Sequence, residues 1–286
     1  MDIFQSLVLG IVQGLTEFLP ISSSAHLLIV PWLFGWNDKG ITSLQFDVAL
    51  HMGTLIAVLV YFASDWRRLI VAFVRSLAER RVGDDPDRRL AWYLVIGSIP
   101  GGIVGLLAES KVDEMFHQPE NIRTGIVVIA IMMILLAALL WLAERIGKRI
   151  YDLRNLSFGT AISIGLAQAL AVIPGVSRSG STITAGLFMN LKRETAARFS
   201  FLLATPIVLG AGLKKIYDAL NDPAATITSD QWPAYIVGFL AAAISGFLCI
   251  YFLLRYLQRN STLPFIVYRV LLGVVLIVLI AIGFRA

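Results

Sequence analysis

Two stretches of this chain, about 154 residues apart, rhyme with each other, and each sets polar residues into apolar surroundings: Leu9 to His26 and Ile164 to Thr182. Gln13 answers Gln168 and Leu15 answers Leu170; a one-residue slip then brings Pro20 to Pro174 and Ser23 to Ser177. Each half therefore carries a helix, a proline break and a cluster of hydroxyls, the pattern of an internal duplication. Paired apolar segments interrupted by Pro and Gly point to a membrane site built where two repeats meet.

The composition sets the solvent. With 57% hydrophobic and 15% charged residues and a mean hydropathy of +0.78, the chain lies far from soluble averages and reads as a polytopic membrane protein. The start, Met1-Asp-Ile-Phe-Gln5, lacks the basic region of a signal peptide, and Gln13 and Glu17 interrupt the first apolar run, so no cleavable leader is expected. The one cysteine, Cys249, excludes an internal disulfide or a cysteine metal cluster and reads as a small buried hydrophobe. The net charge of +5 is confined to particular loops without interleaved aromatics, which marks topology rather than nucleic-acid binding.

Six stretches are long enough to cross a hydrocarbon core of about 30 Å: 46–63, 92–108, 123–143, 196–216, 235–257 and 265–284. Residues 3–34 and 156–191 are each too long for one span and broken near the middle. Irregular backbone at membrane depth survives only against protein or a wet cavity, so each is predicted to be a re-entrant helical hairpin with its turn near the midplane. Arginines at 67, 68, 75, 80, 81, 88 and 89, and basic residues at 145, 148, 149 and 154, place segments 65–90 and 144–155 in the cytoplasm. The acidic connection 109–122 then lies outside, as do both termini, although this count leaves Lys214 and Lys215 at the outer face. The predicted fold is an all-α polytopic membrane protein of one domain, 1–286, with inverted repeats over about 1–143 and 156–286. All six tryptophans (32, 36, 66, 92, 141, 232) fall near segment ends. The spacing of Trp66, Leu69, Ile70, Phe73, Val74 and Leu77 predicts an interfacial helix; the alternative is an extension of the preceding span.

The chemistry should come from the intramembrane polar groups, which are costly to bury unpaired. Gln13 and Glu17 share a helical face. If a helix restarts after Pro20, Ser23 and His26 lie one turn apart, a nucleophile beside a base, with a carboxylate near enough to orient the imidazole or to hold a divalent cation. The second turn, Pro174-Gly-Val-Ser-Arg-Ser-Gly-Ser-Thr182, combines glycines, four hydroxyls and one guanidinium. Backbone N–H groups at a helix start and a forked Arg178 suit a phosphate. The alternative is a helix-packing turn whose Arg178 is neutralised by Glu17. A P-loop is excluded, because no Gly-Lys-Ser/Thr follows.

These residues resemble a family. Gln13 to Glu17 is similar to the Glu/Gln-x-x-x-Glu signature of bacterial undecaprenyl-diphosphate phosphatases, the bacitracin-resistance family, and Pro174 to Thr182 fits the family's Pro-Gly-x-Ser-Arg-Ser-x-x-Thr signature at every fixed position. The similarity covers the whole chain. It implies an integral enzyme of the bacterial cytoplasmic (inner) membrane. Such an enzyme hydrolyses undecaprenyl diphosphate with a divalent cation, Mg²⁺ or Ca²⁺, and feeds the lipid carrier of peptidoglycan synthesis. Carried over by position, Glu17, Ser23, His26 and Arg178 form the essential set, with Glu17 on the metal; Gln13, Ser22, Gly175, Ser177, Ser179 and Thr182 are expected to contact substrate. Two assignments stay open: Ser23 attacks with His26 as base, or His26 attacks with Ser23 holding phosphate. Asp47 and His51 lie outside both signatures and receive no role. A polyprenyl-phosphate flippase using the same site is the competing function, and a proton-coupled carrier using Glu17 and His26 leaves the Arg178 turn unexplained. A homo-oligomeric assembly is left open.

Overall fold

Asp2 starts helix α1 (Ile3–Phe18) by accepting the N–H groups of Phe4 at 2.7 Å and Gln5 at 3.2 Å, which satisfies donors a helix start otherwise leaves orphaned. Pro20 forces Leu19 into extended backbone, ψ 141°, and ends it. Helix α2 (Ser23–Phe34) restarts behind Ser22, whose hydroxyl accepts from the Ala25 N–H and whose φ is 77°. In this computed structural model, which describes residues 1–38, 40–116, 121–221 and 227–285, the second half repeats the device. Helix α7 (Phe158–Ala169) is capped by Ser157 and tightens into a 3-10 turn over Leu170–Val172; the chain is extended at Ile173 before Pro174. Helix α8 (Arg178–Phe188) then starts behind Ser177, at φ 70°.

The two cap serines are Ser22 and Ser177, so the halves stay in one register from Gln13/Gln168 through the caps. The expected match of Ser23 to Ser177 is thereby corrected. The slip is confined to the prolines, because a cap position is fixed by the geometry of the helix it starts, whereas a break tolerates a residue more or less before it.

The remaining helices are α3 (Leu44–Tyr61), α4 (Ala63–Ala78), α5 (Pro86–Phe116), α6 (Ile122–Ile146), α9 (Arg193–Asn221), α10 (Trp232–Arg259) and α11 (Leu263–Ala281). Among the described residues, six of the helices are long and apolar enough to span a membrane: α3, α5 over 86–108, α6, α9 over 193–214, α10 and α11. Each coincides with an expected stretch. Part of the acidic connection, 117–120, and the side chain of Lys215 lie outside what is described. Helix α4 is a separate element after a non-helical Phe62 rather than an extension of α3. Its Leu69 and Ala72 pack inward, the Trp92 indole of α5 donates to Ser76 Oγ at 2.9 Å, and Ile70, Val74 and Leu77 stay exposed.

Each broken segment returns to where it began. The Met1 ammonium lies 3.4 Å from Asp38, beyond the end of α2. At the other segment Lys192 N–H donates to Tyr151 O at 3.0 Å, and Lys192 pairs with Asp152 at 2.9 Å. The chain leaves the first mouth along α3 and reaches the second from α6. Packing follows the same exchange of halves: α1 lies on α10, and α7 on α5. Small residues permit both approaches, since a Cβ on Gly14 would stand 2.0 Å from Ser245 Oγ and one on Gly165 would stand 2.4 Å from Gly97 O. Close backbone contact of this kind is how helices associate where lipid is as apolar as leucine.

Candidate active site

The tips of the two broken segments meet and hold each other. Ser22 Oγ accepts the Gly175 N–H at 3.2 Å, and Ser179 Oγ donates to Leu19 O at 2.9 Å. Arg269 of α11, 1% exposed, ties both tips down. It donates to Pro20 O at 3.1 Å, Gly175 O at 2.8 Å and Val176 O at 3.3 Å, and to the α6 carbonyl of Met133 at 3.1 Å. Five fixed donors in one plane are what allows a single side chain to gather carbonyls from three segments. No pattern in the sequence marked Arg269, because its partners are backbone atoms.

This clamp sets the starts of α2 and α8 side by side, and their first helical residues, Ser23 and Arg178, both reach Glu17. Ser23 Oγ donates to Glu17 Oε2 at 2.5 Å, Gln13 Nε2 donates to the same oxygen at 2.9 Å, and the Arg178 guanidinium pairs with Oε1. His51 of α3 brings Nε2 to 3.5 Å from Oε2. Its Nδ1 donates to Asp47 O at 2.7 Å, so Nε2 carries a proton towards Glu17 only in the imidazolium form. A cavity of about 270 Å³ opens on this group, with Glu17, Ser23, Ser24, His51, Gln168 and Arg178 as its polar lining. Two helix N-termini converge there, and with the guanidinium they favour an anion.

His26 is elsewhere. Its Nδ1 faces the Ser22 carbonyl at 2.6 Å and must donate to it, which leaves Nε2 to accept from the Tyr268 hydroxyl at 2.7 Å, with the two rings stacked. The expected Ser23–His26 hydrogen bond does not form, because the imidazole turns back along its own helix to a carbonyl and towards α11. Other residues of the second turn make contacts within the protein. Gly175, at φ 95°, lets the turn pass within reach of the Ile129 carbonyl, 2.7 Å from where a Cβ would stand. Ser177 Oγ caps Gly180 N at 3.0 Å, and Thr182 Oγ1 meets Ser200 Oγ of α9 at 2.6 Å. Of the sequence-derived set, Glu17, Ser23 and Arg178 line the cavity, Gln13 acts one step behind on Glu17, and Ser22, His26, Gly175, Ser177, Ser179 and Thr182 build the tips. His51 and Gln168 were missed. A helix face shared by Asp47 and His51, and the Gln13/Gln168 rhyme, were the only signals.

Glu17 is the one carboxylate among the described lining residues, and no group of three His, Cys, Asp or Glu side chains gathers as a metal cage among the described residues. Next to this cavity, and sharing Val48, Gly101, Gly105, Val172, Ile207 and Ala211 with it, lies an apolar groove of about 490 Å³ between α3, α5 and α9. The arrangement offers a hydroxyl on a carboxylate, a cation for an anionic group and an oily slot beside them.

Comparison with known proteins agrees with that chemistry. The chain is 48% identical over 281 residues to the undecaprenyl-diphosphatase of Thermomicrobium roseum, covering 98% of this chain and 99% of the relative. It is 46% identical to the undecaprenyl-diphosphatase of Desulforudis audaxviator over 279 residues, 98% of each chain, and 47% identical to that of Moorella thermoacetica over 277 residues, 97% of each. Residues 6–275 match the family described as bacitracin resistance protein BacA, and the chain belongs to that family.

Proposed function

We propose that the protein is a membrane phosphatase that hydrolyses undecaprenyl diphosphate to undecaprenyl phosphate and inorganic phosphate. The observation that carries this reading is Ser23 Oγ, at the head of α2, donating to Glu17 with Arg178 on the other carboxylate oxygen. Ser23 Oγ attacks the terminal phosphorus while Glu17 takes its proton; the bond from that phosphorus to the bridging oxygen breaks, and the lipid monophosphate leaves, carrying the proton that Glu17 returns to its departing oxygen. Water, giving its proton to the ionised Glu17, then attacks the phosphoserine; as the bond from phosphorus to Ser23 Oγ breaks, Glu17 passes that proton to Oγ, which restores the serine and releases phosphate. Arg178 exchanges Glu17 for the phosphoryl oxygens, whose charge it and the two helix starts stabilise. His26 holds the first turn of α2, and so Ser23, from behind.

A hard divalent cation, Mg²⁺ or Ca²⁺, fits the donor set as a companion of the diphosphate: Glu17 would supply one oxygen, and bound there the ion would neutralise phosphate charge. A flippase needs the anion clamp but has no use for a hydroxyl held on a carboxylate. Phosphate release from a prenyl diphosphate by detergent-purified protein, where no second compartment exists, tests the reading; no release by well-folded protein refutes it.

The same proposal includes the finer architecture: two re-entrant hairpins in an inverted repeat, in the bacterial cytoplasmic membrane, with both termini on the outer side. The closed mouths at Met1–Asp38 and Tyr151–Lys192 support it. So do Arg67, Arg68, Arg80, Arg88, Arg149 and Arg154, which fall on the two connecting segments, 65–90 and 144–155, whose positive charge favours the cytoplasmic side. Cysteine labels at Asp2 and Asn37 should react from outside and one at Asp85 from inside; opposite accessibility of the first two would mean that residues 3–34 cross the membrane.

A further inference from the structure

One polar side chain in the cavity has no task in that chemistry. Gln168, near the end of α7, is 4% exposed, and neither its Nε2 nor its Oε1 has a hydrogen-bond partner in the protein. It is the counterpart of Gln13, whose Nε2 is satisfied by Glu17. The register that pairs Gln13 with Gln168 pairs Glu17 with Val172, so the second half kept the amide and has no carboxylate for it. A buried amide keeps an unfavourable desolvation cost until something completes it. Here the completing group can come only from the cavity that Gln168 lines.

Its position says which part of a substrate that is. The amide lies against Gly101, where a Cβ would stand 3.4 Å from Gln168 Nε2, and Gly101 belongs to the lining of both the polar cavity and the apolar groove. Ser23 and Arg178 line the polar cavity but not the groove. A lipid diphosphate with its chain in the groove and its terminal phosphorus at Ser23 brings its lipid-side phosphate past this junction. We propose that Gln168 is a substrate-binding residue that donates its carboxamide N–H to the lipid-side phosphate, the one retained in the product. This rests on the phosphatase reading. The contact is present in substrate, transition state and product alike, so it acts on affinity more than on turnover.

Gln168→Met keeps the volume and removes the amide. With farnesyl diphosphate as the probe, KM should rise at least tenfold and kcat fall less than fivefold. Inhibition by farnesyl monophosphate should weaken in step with KM, while inhibition by inorganic phosphate stays unchanged. The unfolding temperature of the substrate-free variant should equal or exceed that of the wild type, because an amide without a protein partner contributes nothing to the fold. Unchanged KM, weakened inhibition by inorganic phosphate instead, a shifted Mg²⁺ requirement at constant KM, or a lowered unfolding temperature would each overturn the assignment. Calorimetric binding of farnesyl monophosphate needs no turnover. Absent hydrolysis by the wild type therefore sinks the phosphatase reading, whereas equal affinity of wild type and variant sinks the role of Gln168.

Discussion

Arg178→Lys separates the two things that Arg178 does. Its guanidinium, 18% exposed, pairs with a Glu17 side chain that is 4% exposed, so the resting protein needs a positive charge here. Lysine supplies that charge but not the planar fork. Against a phosphoryl group, the loss amounts to one charge-assisted hydrogen bond of about 1.5–3 kcal/mol. At about 1.4 kcal/mol per decade this lowers kcat/KM by about 10- to 150-fold. Stability should hardly move, because Glu17 keeps a cation as well as Gln13 and Ser23. Arg178→Ala differs: breaking a buried pair from one side costs about 3–5 kcal/mol, and the unfolding temperature should fall with the activity. The measurement is phosphate release from farnesyl diphosphate in detergent, beside a thermal unfolding curve for each variant. Near-normal turnover of Arg178→Lys would return Arg178 to a purely structural role. A Lys variant as unstable as the Ala variant would refute the claim that charge alone holds the resting site.

Three further outcomes are expected. Ser23→Ala should abolish turnover while His26→Gln retains a measurable fraction, because His26 contacts Ser22 O and Tyr268 rather than Ser23; the reverse order, or an acid-labile phosphoenzyme, would make His26 the nucleophile. EDTA should abolish phosphate release, and Mg²⁺ or Ca²⁺ should restore it; full activity in chelator would remove the cation from the proposal. Gly14→Ala should destabilise the protein by about 1–3 kcal/mol, since the new Cβ would meet Ser245 Oγ at 2.0 Å and Ala242 O at 2.6 Å. An unchanged unfolding temperature would show that α1 and α10 can part without cost.

The sequence by itself determined the elements. Apolar length marked the six helices that, among the described residues, are long and apolar enough to span a membrane, because a hydrocarbon core admits only long self-satisfied helices. Pro20 and Pro174 marked the two breaks, and the concentration of polar groups in those breaks picked out Glu17, Ser23 and Arg178. Those signals are local, and local chemistry survives in a linear reading. Tertiary structure decided who touches whom. Ser23 and His26 are one helical turn apart in sequence, yet the serine turns to Glu17 and the histidine to Tyr268, 242 residues away. His51, Gln168 and Arg269 reach the site from α3, α7 and α11, and no spacing rule links those helices. A side chain's direction depends on the helix face its neighbours cover, and that is fixed only when the tips of the two halves close on one another around Arg269.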